Sequence, residues 1–413
     1  MVVSHKIVAV RTIVVGAGLV GLSAAHATRG NVVVLDASGP DATEIRASVG
    51  DTRLVRPQEQ PYLEALRLQS IQKMQRVGDF IEWAPVVIIG KTRSAIFKEE
   101  ASYTASGLPE LSSQTLSTRS PYLKLPLGYR AFCDPNGGIL CLSNLMSTLR
   151  ERIQKLPNSS IQFNQKVVRY ERDREGQFVV TTDRGNQFRS DRLIFCKGPW
   201  AIEDGKKIMG SSLGRHYPFF VQRLDLFYFN PTDTSSGRPV SLPPMLMRFE
   251  MTQEELTMIA KGRSIPPDIE SVSHKNGKIS VAMYSMMEGG LYKVGYRITG
   301  ARTSVDPDRV DQNVHPLRRT IVESLLFRVF NNVSLGYVKT TCGIVTVRDG
   351  RFPNDPDVPE VAMHRDREGA IHFLSCGGIS AKLSMALGEV LASCSRGAEI
   401  PKALNLTFLP SKL

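Results

Sequence analysis

"TIVVGAGLVGLSAAHATRGNVVVLD", residues 12–36, decides the fold. Ile13–Val15 is short and β-branched and reads as a strand. Gly16, Gly18 and Gly21 follow in G-x-G-x-x-G spacing. The first glycine permits the tight turn, the second lets backbone approach a pyrophosphate, and the third lets helix pack on strand. "LSAAHATR" is helix-forming and stops at Gly30. The free N–H groups at the start of that helix suit phosphate. A second strand, Val32–Leu35, ends at Asp36, whose carboxylate can accept hydrogen bonds from ribose hydroxyls. Strand, glycine triplet, helix, strand and acid in that order predict a dinucleotide site. His26, on the helix, reads as a packing or surface residue rather than a ligand. The motif alone does not choose between NAD and FAD.

Working outward, residues 161–200 hold "IQFNQKVVRYERDREGQFVVTTDRGNQFRSDRLIFCKGPW". They predict a strand, a hairpin turning at Asp173–Gly176, a second turn at Arg184–Gly185, and an apolar strand Leu193–Cys196 closed by Gly198. A small antiparallel insert that returns a strand to the nucleotide sheet favours a flavoprotein. The upstream stretch "MVVSHKIVAVRTIVVGAG" is interrupted by His5, Lys6 and Arg11 and reads as a strand rather than a signal peptide.

The bulk properties agree. The chain has 413 residues, 42% hydrophobic and 22% charged, enough for two domains. Net charge is +12, but the basic residues, such as Arg150, Arg152 and Lys155, are mixed with acids, so no nucleic-acid arm is expected. Six cysteines without a CxxC pair argue against zinc and fit a reducing compartment. No apolar run approaches the roughly 18 residues of a membrane span. Ser411, Lys412 and Leu413 spell S-K-L, a peroxisomal address read by the import receptor at a free terminus, so a peroxisomal protein is expected.

Further motifs are "GDTRLVR" (50–56), "DPNGGIL" (134–140), "LIFCKGPW" (193–200), "LYKVGYR" (291–297), "TTCGIVTVRDGRF" (340–352) and "GGISAKLSMALGEV" (377–390). With these in order, the chain resembles the monomeric sarcosine oxidase and L-pipecolate oxidase family of D-amino-acid-oxidase-like flavoproteins. The resemblance implies an α/β architecture. A Rossmann-type FAD-binding domain (1–85, 134–215, 336–413) would interleave with a substrate domain (86–133, 216–335) built on a mixed, largely antiparallel sheet. It implies a monomeric FAD oxidase of a secondary-amine amino acid or related amine. Hydride would pass to flavin N5, an imine would form, and O₂ would be reduced to peroxide.

The same resemblance assigns residues. Cys342 matches, without a gap, the family cysteine joined through sulfur to the flavin, and Asp349, Phe352 and Asp355 keep their spacing. A covalent S-cysteinyl flavin is therefore expected. Lys293 matches the lysine that faces the flavin near N5 and favours oxygen reduction, and Arg53 matches the arginine beside the flavin ring. These two are the expected catalytic residues. Arg56 and Lys382 match the clamp on the substrate carboxylate. Cofactor contacts are expected at Gly16, Gly18, Leu19, Val20, Gly21, Asp36, Ala37, Ser48, Arg53, Val167, Gly198, Trp200, Cys342, Gly377, Gly378 and Lys382. The N-terminus of a helix Ala381–Ser393 would stabilise anionic reduced flavin.

The chain also departs from the family. Its active-site histidine is Arg297 here, "PQEQPY" (57–62) puts Gln58 and Glu59 near the pocket, and "GGISAK" is shorter and lacks a histidine. Arg297 and Glu59 thus join the expected substrate contacts, and the amine differs from sarcosine or is bulkier. Two other readings stand beside the oxidase: an FAD dehydrogenase or tailoring enzyme that desaturates a biosynthetic amine, and a flavin-binding protein without turnover.

Overall fold

The computed structural model describes residues 8–40, 51–56, 60–91, 108–209, 218–299, 305–348, 359–375 and 379–406. Ser48, Gln58, Glu59, Asp349, Phe352, Asp355, Gly377, Gly378 and Ser411–Leu413 lie outside the described residues.

The first domain is built around parallel strands. Val8–Val15 lies between Val32–Leu35 and Gln187–Phe195, parallel to both, and Ser160–Gln162 continues the sheet beyond Val32–Leu35. Ile13, Val14, Val32 and Val34 are sealed from solvent, as expected of strands covered on both faces. The expected insert forms as antiparallel strands Val167–Arg172 and Phe178–Thr182 leading into Gln187–Phe195. Gly176 (φ 78°) and Gly185 (φ 77°) make its two turns in the left-handed region. Ile371–Ser375 joins Gln187–Phe195 from the far end of the chain. The helix Leu19–Ala27 packs against Ser380–Ser395, which spans the expected C-terminal helix. There the backbones nearly touch: a Cβ on Gly388 would lie 2.4 Å from the Ser23 carbonyl carbon.

The second domain is an eight-stranded sheet. Its order is Val333–Arg348, Phe219–Asp233, Leu291–Thr299, Lys278–Glu288, Met245–Thr252, Val86–Lys91, Tyr129–Asp134 and Glu110–Leu111. One pair in it is parallel, Met245–Thr252 with Val86–Lys91, so the sheet is mixed and largely antiparallel. One face carries Phe227, Phe229, Tyr292, Val294 and Tyr296 and packs on the helix Pro316–Val329. The other face turns toward the first domain. A three-stranded sheet of Thr52–Val55, Gly138–Cys141 and Ile81–Trp83 lies at the junction. The expected domain cut at 336 falls inside a strand. Val333–Arg348 pairs with Phe219–Asp233 along its whole length, so the chain stays in the second sheet through Arg348.

Candidate active site

The dinucleotide cradle is shaped by close approach. Gly16 has φ 105°, and a Cβ there would stand 2.3 Å from the Cys196 carbonyl oxygen. A Cβ on Gly21 would stand 1.9 Å from the Gly16 carbonyl oxygen, so only glycine lets the helix settle on the loop. Gly18 is the extended N-cap, with no capping side chain and no acid in the first turn. The leading N–H groups, at Leu19 and Val20 among others, therefore lack an intrahelical acceptor and suit a pyrophosphate. Asp36 is 8% exposed. Its carboxylate accepts from the N–H of Ala17 (2.6 Å) and of Ser38 (2.9 Å), which fixes it at the mouth of the loop, beside the exposed Ala37. Val167 stands two residues beyond Gln165, whose N–H donates to the Asp36 carbonyl (2.8 Å). Gly198 (φ 57°) opens the turn after Gln187–Phe195, and Trp200 there donates its indole N–H to Asp308 of the second domain (2.7 Å). This set of donors, glycine contacts and a ribose-facing acid fits FAD.

Strand register decides what the second sheet contributes. Lys293 stands opposite Tyr228 on one side and Met286 on the other. It is 3% exposed and points at the first domain. Its ammonium donates to the Thr52 carbonyl (2.9 Å) and Thr52 Oγ1 (2.8 Å), and it forms an ion pair with Glu288. Glu288 in turn accepts from Thr52 N–H (2.9 Å), Thr52 Oγ1 (2.6 Å) and the Tyr228 hydroxyl (3.0 Å). Arg53, the next residue, donates to the Thr52 carbonyl (2.7 Å) and lies within the field of Glu288 and Tyr228. Burial draws the Lys293 ammonium down to about 8, with the Arg53 charge adding to that and Glu288 opposing it. Burial works to raise the Glu288 carboxyl, but Lys293 and the hydroxyl donors outweigh it and hold it below the usual range.

The clamp residues also meet. Lys382 lies in the first turn of Ser380–Ser395, is 6% exposed, and is pushed well below the usual lysine range by burial and then by the Arg56 charge. Arg67, paired to Glu64 at 2.5 Å, and Glu360 are its other charged neighbours. Glu360 also acts on Arg297, whose guanidinium burial draws below its ordinary range. Arg56, Lys382 and Arg297, distant in sequence, thus share one electrostatic neighbourhood.

Cys342 lies on the edge strand, two strands from Lys293. It sits opposite Asp225, while Lys339, three residues earlier, sits opposite Tyr228 with its ammonium 4.9 Å from that ring. Side chains alternate faces along a strand, so Lys339 shares the Lys293 face and Cys342 takes the other. Its sulfur is 4.0 Å from the Asp311 carbonyl oxygen, and burial pushes the thiol up, away from the thiolate that would add to a flavin. Thr341 stands on the Lys293 face instead. Acid precipitation of the yellow protein reads the expected link: a coloured pellet would carry flavin joined to the chain, and a coloured supernatant free flavin.

Sequence reasoning missed Glu288, Thr52 and Tyr228. A signal existed for Glu288: "EGGLYK" (288–293) is a glycine hairpin with φ 59° and 80°, which folds an acid back beside a lysine two residues past the turn.

Comparison with known proteins extends this geometry. Monomeric sarcosine oxidase from Bacillus sp. (strain B-0618) is 24% identical over 398 residues, 92% of this chain and 90% of that protein. The structure of NikD, an unusual amino acid oxidase essential for nikkomycin biosynthesis, superposes with a TM-score of 0.74 at 17% identity, covering 97% of this chain and 98% of NikD. L-proline dehydrogenase from P. horikoshii gives a TM-score of 0.67 at 11% identity, covering 96% of each chain. At these identities the two solved structures speak for the fold alone. The family profile described as FAD dependent oxidoreductase matches residues 11–394, from the strand before the glycine loop to the end of the helix that carries Lys382. By that match the chain belongs to the FAD dependent oxidoreductase (DAO) family.

Proposed function

We propose that this chain is an FAD-dependent oxidase of an amino acid bearing a secondary amine, or of a related amine. The observation that carries the reading is the meeting of Lys293 with Thr52 and Arg53, beside the paired cations Arg56 and Lys382. Bound FAD supplies the two-electron acceptor, which O₂ reoxidises to give peroxide. The protein's share is orientation and electrostatics. Arg56 and Lys382 take the substrate carboxylate and so turn the amine's C–H toward the Lys293 face. The neutral amine gives up a hydride and a proton and becomes an imine. A peroxide-coupled screen over N-methyl amino acids, proline, pipecolate and larger cyclic amines tests this; no turnover and no bleaching of the flavin by any of them would overturn it.

One observation favours a dehydrogenase as the second reading. Glu288 compensates the Lys293 charge, and a compensated cation is a weaker aid to O₂. Rapid mixing of reduced enzyme with O₂, against an artificial dye, separates the two.

Lys382 sets an expected pH dependence. It clamps a carboxylate as an ammonium, and burial holds its pKa low in the free protein. Carboxylate binding should take up a proton and weaken as pH rises through that lowered pKa. Titration heats in buffers of different ionisation enthalpy read the uptake directly; heats independent of buffer would mean that the lysine is already charged.

We also propose that Ser411–Leu413, where they form a free terminus, address the protein to peroxisomes. Deleting them is expected to leave activity intact and the protein in the cytosol, as cell fractionation would show.

A further inference from the structure

The face of the sheet that carries Lys293 also carries a row of two arginines. Arg248 stands opposite Ala282, and Ala282 stands opposite Arg297, on three neighbouring strands. Neighbouring strands lie about 4.8 Å apart, so the arginine backbones are about 10 Å apart with one methyl group between them. Arg297 is four residues beyond Lys293, so the row stands about 13 Å along the sheet from the ammonium.

Like charges brought together across a sheet destabilise it. Each of these guanidiniums has a buried Nε with no hydrogen-bond partner among the described residues. Arg248 and Arg297 feel each other's charge. Glu250, next on the same face beyond Arg248, makes no bond to its Nε. Tyr284 and Glu360 both act on Arg297, and Glu360 acts on Lys382 as well. Arg297, but not Arg248, also borders a cavity of about 200 Å³ lined by Arg223, Arg318 and Asp268, where Phe219–Asp233 and Leu291–Thr299 part beyond the Asp225–Tyr296 pair. Two planar donors flanking a small residue, each with an open Nε position, match an acidic group of a ligand.

We propose that the amino-acid substrate carries a second acidic group, a carboxylate or its like, held by Arg248 and Arg297 across Ala282 while Arg56 and Lys382 hold the first. This rests on the reading of the site as one for an amino acid. It explains why a bulky cation stands at position 297: the residue reads the far end of the substrate rather than taking part in the chemistry.

The test uses the holoenzyme and acids that cannot be oxidised. Succinate, glutarate, adipate and pimelate are titrated against the straight-chain monoacids of equal length, with binding read from the flavin absorbance shift and from heat. A diacid of fitting length is expected to bind at least about tenfold more tightly than its monoacid, the effect of one charge-assisted hydrogen bond. Arg248→Met and Arg297→Met should each remove that preference. Ala282→Leu, which fills the gap without removing charge, should act in the same direction. Equal binding of diacids and monoacids, or a preference that survives both arginine changes, overturns the proposal. If monoacid binding still depends on Arg56 in that case, the amino-acid site itself stands. If neither class of acid binds and no N-methyl amino acid bleaches the flavin, the amino-acid reading fails and this inference falls with it.

Discussion

Replacing Lys293 with methionine is expected to destabilise the protein by about 3–5 kcal/mol, the cost of leaving a buried charge without its partner. Glu288, 10% exposed at its side chain, would be that charge. The double change Lys293→Met with Glu288→Gln is expected to restore most of the loss. Burial already draws the lysine down to about 8, a sign that its desolvation outweighs the attraction of Glu288. Denaturant unfolding of the three forms reads this; a double variant as weak as the single one would deny the coupling. The same lysine bears on oxygen. A cation about 4 Å from developing negative charge, at an effective dielectric of about 20, contributes about 4 kcal/mol, or about a thousandfold in rate. Lys293→Met should therefore slow flavin reoxidation by two to three orders of magnitude at neutral pH and slow reduction far less. The sign with pH follows from the lowered value. Below about 8 the ammonium is charged and above it the charge is lost, so reoxidation should fall as pH rises through about 8 and be flat in the methionine variant. Glu288 holds the Lys293 pKa up, so Glu288→Gln should bring the fall in reoxidation to lower pH.

Arg56→Ala is expected to lower kcat/KM for an amino-acid substrate by about ten- to 150-fold, from the loss of one charge-assisted hydrogen bond. A matched amine without the acid group should be almost unaffected. Arg56→Lys should recover part of the loss, because an ammonium lacks the two-pronged contact. The structure adds a consequence. Arg56 helps to hold Lys382 below the usual lysine range, so Arg56→Ala lets that lysine keep its proton to higher pH. Carboxylate binding, though weaker, should then persist further into the alkaline range. Steady-state kinetics with the acid and its decarboxylated counterpart check the first point, and the pH profile of binding checks the second. Better turnover of decarboxylated amines by the unmodified protein would show that the clamp is unused.

Much of the fold was legible because its signals are local. Gly16 and Gly21 are required by contacts within a few residues or with the adjoining strand, and the turns at Gly176 and Gly185 need left-handed backbone. The side on which Cys342 lies was not legible. A gapless motif match fixes order along the chain, whereas the face depends on pairing with Asp225, more than a hundred residues away, and a one-residue slip reverses it. Arg248 was missed for the same reason. "MLMRFEMT" shows alternation, but only the register with Ala282 and Arg297 makes it part of a row. The cut at 336 falls within the strand that carries Cys342, which is paired in the second sheet from end to end.

Thr52 meets Glu288 across 236 residues and Lys293 across 241. Neither partner can find it until both sheets have formed and docked, because the chain passes back and forth between them. Contacts of such span close late in folding, after the loop entropy has been met. A partly folded chain would therefore hold the glycine cradle without the cation that works beside it. Refolding should show a lag between recovery of secondary structure and the appearance of this cluster. The Thr52 contacts thus report the docking of the two sheets rather than the formation of either one.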